Sequence, residues 1–142
     1  MYATLDDFQQ RLKDHYQQIY SDDDGVVDES LMTDDLTTAY GTVNAFIAAR
    51  YQTPVTATDA LPMLRACHLA LASELAWMRT DSDELPEKIK DAAKNARGQL
   101  KDISKGEITL PAAPAESTSG AGGAVIVSGE TPVFGRSKMG GF

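Results

Sequence analysis

A long apolar stretch, from Leu61 to Met78, constrains the fold of this chain more than any other part of the sequence. The polar side chains that interrupt it are Arg65, His68, Ser73 and Glu74. Pro62 suits the first turn of a helix, because the N–H that proline lacks would be unpaired there. A helix that is apolar on most sides is usually buried against several neighbours, and these apolar runs are far shorter than the roughly 20 residues that span a membrane. The stretch therefore predicts a central helix with other helices packed around it.

Three further segments have the 3.6-residue apolar spacing of amphipathic helices. They cover approximately residues 4–19, 29–50 and 86–104. Thr4 and Asp28 are good N-caps for the first two segments, and Gly106 is a suitable stop for the last. Gly41, inside the second segment, costs about 1 kcal/mol relative to alanine in a helix interior. We expect it to mark close contact with another helix.

These four helices predict an all-α fold, a four-helix bundle around the central helix at about residues 61–79. We expect Leu71 and Trp77 to be buried in the bundle. Asp34 and Asp35 lie near the start of the second helix, where the helix dipole favours negative charge. The single Cys67 cannot form an internal disulfide, and its apolar surroundings indicate a small core residue rather than a nucleophile.

The chain is acidic overall, and its charge is unevenly distributed. Residues 1–60 carry 11 acidic and 3 basic side chains, whereas residues 61–110 carry 8 of each and residues 111–142 carry 2 of each. Binding to nucleic acid needs clustered Lys and Arg, so this balance argues against a protein that wraps DNA or RNA. The N-terminus lacks the basic start and apolar run of a secretory signal. We expect a protein made and kept in a cytoplasm, or in something assembled there.

An acidic turn, Ser21-Asp22-Asp23-Asp24-Gly25, separates the first two predicted helices. A twelve-residue calcium loop has glycine at its sixth position, which would place Tyr20 first and Leu31 last. Both of those positions need carboxylates, so the motif fails. The pattern indicates a solvated turn that leads into the next helix.

The composition changes at Pro111, and this change divides the chain into parts. Residues 1–110 form a predicted helical domain, and residues 111–123, rich in Pro, Ala, Gly and Ser, form a predicted flexible linker. Residues 124–142 form a docking tail, in which Val125-Ile126-Val127 favours a strand. We expect this tail to be disordered in the free subunit and extended when bound. Its candidate contact residues are Val125, Ile126, Val127, Phe134, Arg136, Lys138, Met139 and Phe142.

Four basic residues of the last predicted helix fall within one narrow arc beside its apolar face. This basic stripe consists of Lys90, Lys94, Arg97 and Lys101. Such a stripe is usually a solvated face. The alternative is an interface with an acidic neighbour, such as the first sixty residues of another copy. The four residues are therefore candidate interface residues.

The sequence lacks the motifs that carry common enzymatic chemistry. The glycines at 120, 122 and 123 are not followed by the Lys-Ser/Thr of a phosphate-binding loop, and no Gly-x-Ser-x-Gly elbow occurs. Two histidines and one cysteine offer neither a catalytic triad nor a metal cluster. We expect no catalytic residues, no metal and no cofactor, and therefore a protein that is not an enzyme.

Several short segments, taken in order, carry a resemblance to a known family. They are MYATLDDF at residues 1–8, DGVVD at 24–28, AARY at 48–51 with Pro54 beyond it, LPMLRAC at 61–67, GEITL at 106–110, FGRS at 134–137 and GF at 141–142. In this order and spacing, the chain resembles the small head–tail connector (adaptor) proteins of Mu-like and related long-tailed bacteriophages, over nearly its whole length.

The resemblance implies a structural virion protein, assembled in the host cytoplasm and located at the head–tail interface. Such a subunit joins a ring, usually of twelve copies, beneath the portal of the DNA-filled head. Its partners are the other copies, the portal protein, and a tail-side connector or tail terminator protein. Viral DNA passes through the lumen without specific binding, and no membrane is involved. From the residues alone, the alternative is a free cytoplasmic helical protein-binding module or regulator whose tail captures a client.

Overall fold

The computed structural model of the protein describes residues 1–115. Within them the chain forms five α-helices and no β-strand beyond two isolated bridges. The helices are α1 (Leu5–Leu12), α2 (His15–Tyr20), α3 (Glu29–Ile47), α4 (Leu61–Met78) and α5 (Glu87–Lys105). The predicted all-α fold is confirmed. The docking tail and most of the predicted linker lie outside the described residues, so the division of the chain into domains stays a prediction.

The first predicted helix is divided into two, α1 and α2. Thr4 caps α1 as predicted, because its hydroxyl accepts a hydrogen bond from the Asp7 N–H while the Asp7 carboxylate accepts one from the Thr4 N–H. The division falls at Lys13, which has a φ of 56°. A continuous helix would place the side chains of Phe8 and Tyr20 about 120° apart. The break lets both enter the core, where their rings meet edge to face with centroids 6.3 Å apart.

Helix α4 lies at the centre of the bundle, as its apolar sequence predicts. The other four helices all pack against it. Its buried residues are Leu64, Cys67, His68, Ala70, Leu71, Ala72, Ser73 and Ala76. Trp77 is less buried than predicted: it is partly exposed, and its ring lies against that of His15, with centroids 5.1 Å apart.

Helices α3 and α5 run antiparallel to α4, and they also contact each other. Asp35, near the start of α3, pairs with Arg79 at the end of α4. Cys67, early in α4, lies 3.5 Å from the Gln99 side chain, late in α5. The start of α3, the end of α4 and the start of α5 therefore meet at one end of the bundle.

At the opposite end of the bundle, the segment after α5 folds back on the end of α3. Gly106 ends α5 in the left-handed conformation, with a φ of 87°, which confirms the predicted stop. The Tyr51 hydroxyl accepts a hydrogen bond from the Leu110 N–H, at 2.8 Å. Tyr51 also forms an isolated antiparallel bridge with Pro114. These contacts hold the chain against the bundle as far as Ala115.

The prediction for Gly41 is wrong. This residue is exposed on α3, and a Cβ added to it would meet nothing within 4 Å. The apolar spacing of α3 places its core stripe at Met32, Leu36, Ala39, Val43 and Ile47, and Gly41 lies away from that stripe. Within residues 1–115, no other helix packs closely against Gly41.

Candidate interaction surfaces

The antiparallel arrangement brings two acidic loops to one end of the bundle. Residues 21–29 carry five acidic side chains and residues 80–87 carry four, and neither segment contains a Lys or Arg. We call this surface the acidic end; its members are Asp22, Asp23, Asp24, Asp28, Glu29, Asp81, Asp83, Glu84 and Glu87, all of them exposed. The two segments are more than fifty residues apart in sequence, so sequence reasoning saw two separate polar turns and missed the combined surface.

A buried polar cluster holds the two acidic loops together at their bases. The Arg79 guanidinium donates to both carboxylate oxygens of Asp35, at 2.8 and 2.9 Å. The Tyr20 hydroxyl donates to the same carboxylate, at 2.5 Å, and burial, with Asp35 beside it, raises the pKa of Tyr20. The hydrogen bonds to Asp35 raise the pKa of Arg79, which therefore stays charged. Tyr20 precedes one loop and Arg79 precedes the other, so the cluster fixes where both loops leave the bundle.

The sequence predicted only a favourable interaction of Asp35 with the helix dipole and did not predict its burial or its ion pair. Only 6% of this residue is exposed, and a buried carboxylate is costly unless it is paired and hydrogen-bonded, as it is here. A signal was present in the sequence, because Asp35 falls at core spacing between Met32, Leu36 and Ala39. An acidic residue at such a position calls for a basic partner on another helix.

The acidic turn between α2 and α3 is organised by its own hydrogen bonds. One Asp22 carboxylate oxygen accepts from the N–H groups of Asp24 and Val26, both at 2.9 Å. The Asp28 carboxylate accepts from the N–H groups of Ser30 and Leu31, which confirms it as the N-cap of α3. The Ser30 hydroxyl also donates to this carboxylate, at 2.7 Å, and this bond, followed by that from the Leu31 N–H, lowers the pKa of Asp28. The turn is therefore built from side-chain to backbone bonds, as the solvated interpretation predicts.

All four residues of the basic stripe are exposed on α5. Arg97 is held by Glu74 of α4 through both of its terminal nitrogens, one of them at 3.1 Å. Lys90, Lys94 and Lys101 have no ion-pair partner among residues 1–115. The stripe thus leaves three lysines exposed, with Arg97 serving partly to fix α5 on α4.

An apolar groove lies beside the N-terminus, where three distant parts of the chain meet. It has a volume of about 330 Å³ and is lined by Met1, Tyr2, Tyr40, Pro54, Val55, Thr56 and Leu61. Tyr2 is fixed there by two hydrogen bonds: its hydroxyl donates to the Asn44 carboxamide at 2.5 Å and accepts from the Val55 N–H at 3.0 Å. Met1 remains 58% exposed at its edge. Periodicity could not reveal this groove, because it depends on how residues 1–2 and 54–56 fold onto α3.

Neither Cys67 nor His68 has the surroundings of a reactive group. Burial raises the pKa of the Cys67 thiol to about 11, which disfavours the thiolate and agrees with the predicted core role. His68 is fully buried, and its Nε2 lies 2.8 Å from the Leu36 carbonyl oxygen. Burial lowers the pKa of His68, so the ring is held neutral.

Residues 1–115 contain neither a metal-binding cluster nor a membrane-spanning helix. No group of three or more His, Cys, Asp or Glu side chains stands close enough there to hold a metal ion. None of the five helices is long and apolar enough to cross a membrane. The eight candidate contact residues of the docking tail, Val125 to Phe142, lie outside the described part of the chain, and the described part ends beside Gln52 and Thr53 at Ala115.

The described residues define an all-α protein whose distinctive features lie on its surface and at one end of its bundle. Residues 2–128 match the family model described as Bacteriophage Mu, Gp36. This match covers nearly the whole chain, and the protein belongs to that bacteriophage family. No curated protein matches the chain. The predicted phage relationship is thereby confirmed, and family membership supports a structural or assembly protein of a phage virion.

Proposed function

We propose that this protein is a head–tail connector subunit, which forms a ring under the portal and links the DNA-filled head to the tail. The observation that carries the proposal is the match of residues 2–128 to a phage Mu protein family. The short segments from MYATLDDF to GF, whose order resembles connector proteins, extend that support to the specific role. The ring size of twelve follows from the same resemblance.

The charge distribution of the described surface suits a closed ring. In a cyclic ring each subunit contacts its two neighbours through two different faces. The basic stripe of α5 carries four exposed basic side chains, whereas the acidic end carries nine acids and no base. Opposite charge on two different surfaces favours one orientation of neighbouring copies and penalises like-charge alignments.

The proposed partners are the portal protein on the head side and a tail-side connector or tail terminator protein on the other. An acidic protein lets viral DNA pass without being retained, because the phosphate backbone is repelled by carboxylates. The proposed role needs no catalysis, no cofactor and no membrane. The protein is thus proposed to act by positioning other proteins, with the docking tail as an assembly peptide.

The docking tail supplies the kind of residues on which binding energy concentrates. Aromatic and Arg side chains dominate the energetic centres of protein interfaces, and the tail contains Phe134, Arg136 and Phe142. Extended segments that pair with a partner add backbone hydrogen bonds to these contacts. We propose that the tail secures the subunit to a neighbouring copy or to the portal.

Purified phage particles provide the test of this proposal. DNA-filled heads and complete virions from infected cells are separated on a density gradient, and this protein is quantified by mass spectrometry relative to the portal protein. The proposal expects a constant ratio of the two proteins in every fraction that contains joined heads and tails. Absence from such particles, with the protein present in the free cytoplasmic fraction, would overturn it in favour of a regulator or binding module.

A further inference from the structure

We propose that the apolar groove of each copy receives the Val125-Ile126-Val127 segment of a neighbouring copy. This inference rests on the proposed ring, and it names the site that would accept the docking tail. Every subunit has one groove and one tail, so a repeated groove–tail contact joins each copy to the next and closes with the ring.

The groove has the size and chemistry that a short β-branched segment requires. Its volume of about 330 Å³ is roughly ten times that of one water molecule in the liquid. Its walls are two tyrosine rings, Tyr2 and Tyr40, with centroids 5.1 Å apart, and the aliphatic side chains of Val55 and Leu61. Apolar side chains gain the most from burial in such a site, and Val, Ile and Val are adjacent in the tail.

One wall of the groove also offers backbone hydrogen-bonding groups. Residues 54–56 follow α3 outside any helix, and within residues 1–115 neither the N–H nor the C=O of Thr56 has a hydrogen-bond partner. Thr56 is exposed. An extended peptide can pair with groups of this kind while its alternate side chains enter pockets.

The course of the chain at the end of the described part favours a neighbour's tail, rather than the chain's own, as the occupant of the groove. The Gln52 N–H donates to the Ala113 carbonyl at 3.0 Å, and the Ala115 N–H donates to the Arg50 carbonyl at 2.9 Å. The chain therefore passes antiparallel from Gln52 toward Arg50. Because Pro54 lies on the other side of Gln52, this course leads away from the chain's own groove.

The length of the intervening chain suits an adjacent copy. Residues 116–124 separate Ala115 from Val125. For nine residues of Gly/Ser-rich composition, the chain-length relation gives a root-mean-square span of roughly 16 Å and a limit of about 30 Å. The limit of about 30 Å is about the diameter of a small domain, so the segment is long enough to cross to an adjacent copy.

Disulfide trapping with the full-length chain tests the groove directly. A synthetic peptide of residues 122–142 carrying Ile126→Cys is added to the full-length Thr56→Cys variant in a glutathione redox buffer, and the protein–peptide disulfide is measured by intact mass. The matched control is Thr58→Cys, which is exposed in the same connecting segment but does not line the groove. Native Cys67 is buried and contributes little background.

The inference expects Thr56→Cys to form the disulfide at least about ten times faster than Thr58→Cys. A peptide with Val125→Asp and Val127→Asp added to the same Ile126→Cys background should lose this advantage. Equal rates at the two positions, or no effect of the aspartates, would overturn the groove as the receiving site.

The choice between a neighbour's tail and the chain's own tail is tested with full-length variants only. The inference expects the Thr56→Cys, Ile126→Cys double variant to form disulfide-linked dimers and larger oligomers, measured on non-reducing gels. Rapid closure of an internal disulfide in the monomer, measured by intact mass, would overturn the assignment to a neighbouring copy. If these crosslinking experiments fail while the protein is still found in joined particles, only the groove contact is refuted. Absence of the protein from joined particles refutes the connector role.

Discussion

At the scale of single residues, the acidic end depends on one buried carboxylate. Asp35 accepts hydrogen bonds from Tyr20 and Arg79, which precede the two acidic loops. Removing one partner of a buried ion pair leaves the other desolvated and uncompensated. The position of both loops should therefore respond to this residue more than to any of the exposed acids around it.

The first prediction concerns the substitution Asp35→Asn. We expect it to lower the free energy of unfolding by about 2–3 kcal/mol, at or below the lower limit of the roughly 3–5 kcal/mol for broken buried pairs, because the Arg79 side chain stays 34% exposed and keeps some hydration. Urea denaturation followed by circular dichroism measures the change. Asp34→Asn is the matched control, since Asp34 is exposed, and it should change stability by less than about 0.5 kcal/mol. Equal effects of the two substitutions would contradict the buried pair.

The second prediction concerns His68 and pH. Burial lowers the pKa of His68 in the folded protein, whereas an unfolded histidine has a pKa of about 6.5. As the pH falls below that value, the unfolded state therefore binds more protons than the folded state. The free energy of unfolding decreases over this range, by up to about 1.4 kcal/mol per pH unit.

Unfolding free energies measured from pH 7.5 to 5 should show this loss. The His68→Gln variant keeps an N–H donor for the Leu36 carbonyl but cannot ionise in this range, so its stability should be nearly independent of pH. His15→Gln, at an exposed position, is the control and should retain the wild-type slope. A His68→Gln protein with an unchanged slope would refute the assignment.

Residue-level predictions from the sequence succeeded where the interaction was local. Thr4 and Asp28 were identified as caps because each bonds to backbone groups two or three residues away. Asp35 was not recognised as buried, because its partner Arg79 is 44 residues distant and only the packing of α3 on α4 brings them together.

At the scale of secondary-structure elements, the glycine within α5, Gly98, and the glycine that ends it, Gly106, differ in conformation and surroundings. Glycine is required at the C-terminal end of α5, where Gly106 has positive φ and a Cβ would lie 2.8 Å from an Arg50 guanidinium nitrogen. Gly98, in the middle of the helix, faces open space. The same substitution should therefore have opposite effects at the two positions.

The third prediction compares Gly106→Ala with Gly98→Ala. The first should destabilise the protein by about 1–2 kcal/mol, the cost of a left-handed conformation for an L-residue. The second should stabilise it by up to about 1 kcal/mol, because alanine favours helix and nothing obstructs its methyl group. Thermal melts of both variants give the comparison, and a change of the same sign in both would contradict the described conformation of Gly106.

The fourth prediction concerns the core of α4. Leu71 is 3% exposed, and Leu71→Ala should cost roughly 2–5 kcal/mol through lost burial and the cavity left behind. Met78→Ala, at a residue 63% exposed on the same helix, is the control and should have little effect. A thermal melt unchanged by Leu71→Ala would count against α4 as the central helix.

Helix positions were largely predictable from periodicity and stop signals, and the reasons for the misses are physical. α3, α4 and α5 have the predicted identity with ends shifted by a few residues. The break between α1 and α2 at Lys13 was missed because neither Gly nor Pro marks it; the burial of both Phe8 and Tyr20 imposes it. Gly41 was misinterpreted because glycine in a helix is compatible with open space as well as with close contact.

At the scale of the whole molecule, the antiparallel packing gives the bundle two unlike ends. Nine acidic side chains stand at the end where α3 begins. The opposite end carries the fold-back of residues 106–115 onto Arg50 and Gln52, and the described chain ends there at Ala115. Net charge by segment suggested an asymmetric molecule, but neither the acidic end nor the apolar groove could be located before the fold was known, because each joins segments far apart in sequence.

The most direct test of the connector role is electron microscopy of phage lysates. A nonsense mutation early in the gene is compared with the same mutant complemented by the full-length protein. We expect the mutant lysate to contain DNA-filled or DNA-losing heads and separate tails, with complete particles restored by complementation. Normal numbers of joined, infectious particles in the uncomplemented mutant would contradict the proposal that this protein links head to tail.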